Sequence, residues 1–189
     1  LPPARSEAVQ ATRAYLQERG VPHASFYELV DFEPDLPPER RALLEAQLAD
    51  AGILDALVVP TEMLAKMPDI LAEHPDHFLC REGLSPASTP LPLRPESELP
   101  PWADIAGVLS CLSGQPTGNA WFAADGRYRQ GALQGQSVAQ QPAGYIGALA
   151  RRANRERQIE ALSRQIEEKQ RELEEIQARL RQVEISQHQ

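Results

Sequence analysis

The stretch 159-IEALSRQIEEKQRELEEIQARLRQV-183 decides the architecture. Its apolar residues recur in alternating steps of three and four. Ile159, Ile166, Leu173 and Leu180 take the a positions of a heptad, and Leu162, Ile176 and Val183 take d positions. Lys169, at d, is the single break. A strict 3.5-residue repeat keeps one stripe turned to a partner helix and imposes a left-handed supercoil. No Gly or Pro follows Gly147. The pattern predicts one helix from about Ala148 to Ser186, roughly 60 Å long at 1.5 Å per residue. A compact domain with a lever attached is the expected organisation.

Upstream of that helix the composition is that of a folded α+β body. The 189 residues carry a formal net charge of −8, unevenly spread. Up to Tyr145 there are 10 Lys and Arg against 19 Asp and Glu; from Ile146 onward there are 9 against 8. A body of −9 repels phosphates, which excludes a general polyanion binder. Two cysteines, Cys80 and Cys111, make no disulfide framework and fit a reducing, cytoplasmic setting. No segment reads as a signal peptide or as an apolar run long enough to span a bilayer. The opening Leu1-Pro2-Pro3, without an initiator Met, reads as a piece cut from something longer.

Local signals divide the chain into three parts: an N-terminal arm helix over 1–20, an α+β body over 21–145, and a C-terminal arm helix over 146–189, the two flanking helices being expected to pair as an antiparallel coiled-coil arm. Ala4 to Arg19 has one apolar side and ends at Gly20-Val21-Pro22. Pro38 suits the first position of a helix running to Asp50, with Leu43, Leu44 and Leu48 on one face. Ile53 to Val59 reads as a buried strand, and His77 to Arg81 as a second. Leu84 to Pro101 holds six prolines and reads as an extended connector. Trp102 to Leu112 is amphipathic at helical spacing. Asn119 to Ala124 and Arg127 to Leu133, joined by Asp125-Gly126, form the best hairpin signal, with a type I′ turn expected.

Catalytic signatures are missing. There is no G-x-x-x-x-G-K-[ST] phosphate loop, no G-x-S-x-G and no H-E-x-x-H. His74, His77 and Cys80 form H-x2-H-x2-C around Pro75, which is no standard zinc spacing, even with Cys111 added. Asp55, within an apolar run, suits a turn cap or strand edge better than a catalytic carboxylate. The reading therefore assigns no catalytic residue, cofactor or metal. Arg151, Arg152, Arg155 and Arg157 cluster where the long helix begins. They serve either as a solvated helix face with i,i+4 partners such as Arg152–Glu156, or as a contact to a DNA backbone. Trp121 and Phe122 on the hairpin, with Val108, Leu109 and Leu112 on the preceding helix, are the expected apolar patch for a dimer.

Three stretches carry a resemblance: 44-LEAQLADAGILDALV-58, 125-DGRYRQG-131, and 144-GYIG-147 followed by Arg151, Arg152 and Arg155. Together they resemble the hinge region of bacterial SMC-like ATPases of the MukB/MksB type, and among these the JetC-type subunits of Wadjet plasmid-defence systems. The resemblance covers roughly Tyr27 to Leu162. It implies a homodimeric hinge joining two coiled-coil arms, with ATP-binding heads outside this segment. It also implies kleisin and accessory subunits and a nuclease as partners of the whole protein, in a complex that extrudes and cleaves circular plasmid DNA. A different reading stays open: a metal-binding or enzymatic α+β domain with an oligomerising coiled coil at its C-terminus.

Overall fold

The computed structural model describes residues 2–189. The chain is α+β, and it divides into two compact units, Leu1–Arg151 and Arg152–Gln189. In the first unit, α1 (Glu7–Glu18) is followed by β1 (Ala24–Ser25), β2 (Val30–Phe32) and α2 (Pro38–Asp50). Then come β3 (Leu57–Val58), α3 (Met67–Glu73), β4 (Leu93–Pro95) and α4 (Ile105–Leu109). The strands β5 (Ala120–Phe122), β6 (Arg127–Gln130) and β7 (Leu133–Gln136) close the body. The long helix α5 runs from Ala148 to Gln187. Among the described residues, no helix is long and apolar enough to cross a membrane.

The sheets are small and antiparallel: β1 with β3, β2 with β4, and the meander β5-β6-β7. One core cluster joins Phe26, Val30, Phe32, Leu48, Ile105, Phe122 and Ile146; a second gathers Leu16, Leu57, Val59 and Met67. The second cluster fixes the place of α1. Ser6 caps it, accepting from the Val9 amide, and Thr12 and Leu16 are its buried residues. The inner face of the expected arm helix is thus occupied by the body.

Several elements are shorter than the sequence pattern predicts, for identifiable reasons. The expected strand Ile53–Val59 shrinks to Leu57–Val58. The Ile53 and Leu54 amides still bond the Leu48 carbonyl at the end of α2, and that of Ala56 bonds Ile53, so these residues complete a turn. The helix expected over Trp102–Leu112 is only Ile105–Leu109, begun by Asp104, whose carboxylate accepts from the Gly107 amide. His77–Arg81 supplies one parallel bridge, Phe78 to Leu57. In the proline-rich connector, Leu93–Pro95 forms a strand, because its one proline, Pro95, lies opposite Val30 between the ladder bonds, where no N–H is needed.

The hairpin forms, with a different turn and an extra strand. Gly126 has φ +96°, and among the described residues no non-glycine residue has positive φ, so a type I′ turn, which needs Asp125 there too, is ruled out. The Ala123 amide bonds the Arg127 carbonyl across a three-residue loop whose left-handed position is Gly126. The unforeseen β7 pairs Gly135 with Tyr128. A Cβ at Gly135 would lie 2.9 Å from the Tyr128 hydroxyl, so the glycine lets that ring lie across the strand. Apolar alternation has little to register in Leu-Gln-Gly-Gln.

Candidate functional site

The second helix organises the body through polar side chains on its inner face. Leu44, Glu45, Gln47 and Leu48 are all buried, at the i, i+3 and i+4 spacing of one helical stripe. The Glu45 carboxylate accepts three backbone N–H bonds: from Gly144 at 2.7 Å, Tyr145 at 3.2 Å and Ile146 at 3.0 Å. Gln47 donates through its amide to the carbonyls of Ala123 and Arg127, at 2.8 and 2.9 Å. The Ser137 hydroxyl donates to Asp50 at 2.6 Å. One helix thereby holds the turn of the hairpin, the strand after it, and the segment that leads into α5.

That segment is anchored from both sides. Ile146 is fully buried in the core, and the rings of Tyr27 and Tyr145 meet edge to face at 5.7 Å. Arg151 donates to the carbonyls of Tyr145, at 2.9 Å, and Tyr27, at 3.3 Å. Burial pushes the Glu45 carboxyl above its usual range, against the pull of the three N–H donors. Burial likewise raises the Tyr145 hydroxyl, with the Glu45 charge adding to it. The arrangement ties Glu45 on α2 to the backbone of 144–146 and Arg151 to the carbonyls of Tyr27 and Tyr145. It fixes the start of a long helix.

A second polar cluster ties α1 down. The Asp55 carboxylate accepts from both sides of the Arg5 guanidinium at 2.7 Å and from Ser25 at 2.9 Å, with Arg13 at 3.7 Å. Arg13 also chelates Asp76 and donates to the Asp55 carbonyl and the Ser25 hydroxyl. Burial raises the Asp76 carboxyl, but hydrogen bonds from His77 and Arg13 outweigh it and bring it down to about 2. Asp55 is lowered in the same way, burial being overcome by Arg5 and Ser25. Asp55 therefore holds the N-terminal segment as an ionised, fully partnered carboxylate.

The other sequence candidates separate. His74 stacks on the Tyr15 ring at 3.7 Å, while His77 sits against Asp76 and the Gly52 carbonyl. Cys80 is exposed and Cys111 is buried beside Ser110. Among the described residues, no three His, Cys, Asp or Glu side chains are placed to hold a metal ion. The residues of the expected dimer patch are mostly buried within the single chain. Phe122, Leu109 and Leu112 are 3–7 % exposed as members of the core cluster, Val108 packs on its edge, and Trp121, outside that cluster, is 6 % exposed. Hydropathy marks such residues as apolar and cannot say which apolar surface buries them. Of the four arginines, Arg151 is drawn onto backbone carbonyls, while Arg152, Arg155 and Arg157 are exposed.

The three stretches behind the sequence resemblance converge on α2: Glu45 binds Gly144–Ile146, and Gln47 binds the turn of the 125–131 hairpin. A buried Glu and Gln inside a leucine-faced helix was the available signal, legible only once their partners were known. No family model, curated protein or solved structure matches this chain.

Proposed function

We propose that this chain is the hinge segment of an SMC-like, DNA-handling ATPase, resembling that of the Wadjet anti-plasmid complex. In this reading the body dimerises and joins two coiled-coil arms, and catalysis lies elsewhere in the whole protein. The observation that carries it is the α2 clasp. A buried carboxylate on three consecutive amides, with Arg151 bridging two carbonyls, grafts the first turn of a 40-residue helix onto a folded body. A helix that served only to oligomerise the chain needs no such joint. A helix that transmits position or force does.

The test separates the body from the helix. Ile166→Glu, Leu173→Glu and Ile176→Glu in the full chain place charge on side chains that are exposed in the single chain, so its folding is expected to be unaffected. Light scattering is expected to show this triple variant still dimeric through its body. A monomer would refute the hinge.

In the same reading, any DNA contact falls to Arg152, Arg155 and Arg157. Arg152 and Arg155 lie three residues apart on one helical face. With two or three phosphates engaged per copy, binding is weak, blind to sequence, and falls with log salt at a slope of roughly −0.9 per phosphate. Anisotropy of a labelled duplex at low salt is expected to be lost in the Arg152→Glu, Arg155→Glu variant. Equal binding by both proteins would remove the arginines from the proposal.

A further inference from the structure

The seam of α5 has no cover in the single chain. Ile159, Leu162, Ile166, Leu173, Ile176, Leu180 and Val183 are each 52–58 % exposed, and α5 contains no buried residue. The order of side chains along the seam carries further information. Read forward it is Ile, Leu, Ile, Lys, Leu, Ile, Leu, Val; read backward it is Val, Leu, Ile, Leu, Lys, Ile, Leu, Ile. The seam is close to a palindrome about Arg171.

A palindrome is self-complementary only in the antiparallel sense. In that alignment an a position of one helix packs against a d position of the other. Ile159 then meets the partner's Val183, Leu162 meets the partner's Leu180, and Ile166 meets the partner's Ile176. Branched side chains face branched ones and leucines face leucines. Lys169 meets the partner's Leu173, across which its stem can lie while its ammonium reaches the rim.

The parallel alternative is internally inconsistent. Before Lys169 the seam has Ile at a and Leu at d, which favours parallel dimers. After it, Leu stands at a with Ile and Val at d, which favours higher oligomers. Lys169 would also face its own copy in one core layer, two like charges side by side. The antiparallel pair removes both conflicts. Lys169 Nζ lies 2.8 Å from Glu172 Oε2. At the centre of the pair the two Glu172 side chains approach one another, and the two lysines neutralise them.

We infer that α5 pairs antiparallel with α5 of a second copy of this chain, in the single register centred on Arg171. This interface lies on α5 alone and does not rest on the hinge reading. Its antiparallel sense puts the two Ala148 ends at opposite ends of the pair, so the copy that shares the seam is not the copy that shares a body interface, and the seam is then closed to any other arm helix. The test uses the full chain with Cys80→Ser and Cys111→Ala. Two single variants, Ile159→Cys and Val183→Cys, are oxidised alone and in an equal mixture. A disulfide-linked dimer is expected in the mixture, with little from either protein alone. Adding Ile166→Glu and Ile176→Glu to both is expected to abolish it. Linking of the Ile159→Cys chain to itself would show a parallel pair and overturn the inference. So would a mixture that fails to link, since the seam would then be free or held by another helix. The triple glutamate variant reports on the body and the cross-link reports on the seam, so either can fail alone.

Discussion

Replacing Arg13 by alanine is expected to lower the unfolding free energy by about 3–5 kcal/mol, as for other broken buried ion pairs. The Asp76 side chain is completely shielded from solvent and Arg13 is its cation. Removing the guanidinium leaves a buried carboxylate with only His77 beside it. It also frees the Ser25 hydroxyl and the Asp55 carbonyl from their shared donor. Urea denaturation at neutral pH measures the loss. An effect below about 1 kcal/mol, the range of exposed pairs, would show that α1 is held by apolar packing alone.

The same cluster fixes a pH signature. Asp76 falls from 3.8 to about 2 on folding, so its contribution is fully present above pH 3.8 and is lost as pH falls towards 2. A depression of that size corresponds to about 2 kcal/mol. The stability gap between the native chain and Arg13→Ala should therefore close as the solution is acidified through that window. A gap that stays constant down to pH 2 would remove Asp76 from the explanation.

Glu45→Ala should lower stability by about 2–3 kcal/mol at neutral pH, because it strands three amides that the carboxylate satisfies. Glu45→Gln should restore little of this, since an amide presents a donor where three donors already point. The pH dependence has the opposite sign to that of Asp76. The Glu45 carboxyl titrates above its ordinary value in the folded chain. Its contribution is largest below the unfolded carboxylate pKa and shrinks as pH rises through the folded one. The penalty of Glu45→Ala should therefore be greater in mild acid than at neutrality. Faster hydrogen exchange at Gly144, Tyr145 and Ile146 would locate the damage in the clasp. Unchanged exchange there would mean the three bonds do not hold the junction.

The long helix could be read from its sequence almost to the residue, and α2 was legible too. Both announce themselves in one dimension, α5 by an unbroken heptad and α2 by Pro38 at its first turn and leucines on one face. The hairpin was legible as strands because Asp125-Gly126 separates two runs, but its turn type depended on Asp125 staying out of the left-handed region that Gly126 enters. Periodicity reports which face of an element is apolar, and that was enough to find the arm. It is silent on what that face meets. Trp121, Phe122, Leu109 and Leu112 had the composition of an interface, and only tertiary packing buries them, with Phe122, Leu109 and Leu112 in the core cluster that Leu44 and Leu48 of α2 also line. Glu45, Gln47, Arg13 and Asp76 look like ordinary surface residues in one dimension, because a buried charge is made acceptable by partners 42 to 101 positions away. The sequence by itself determined the helical stripes, the seam of α5 and its palindromic order. The tertiary structure decided that α1 packs into the body and that a carboxylate on α2 holds the start of α5, because both depend on long-range hydrogen bonds that local propensity does not encode.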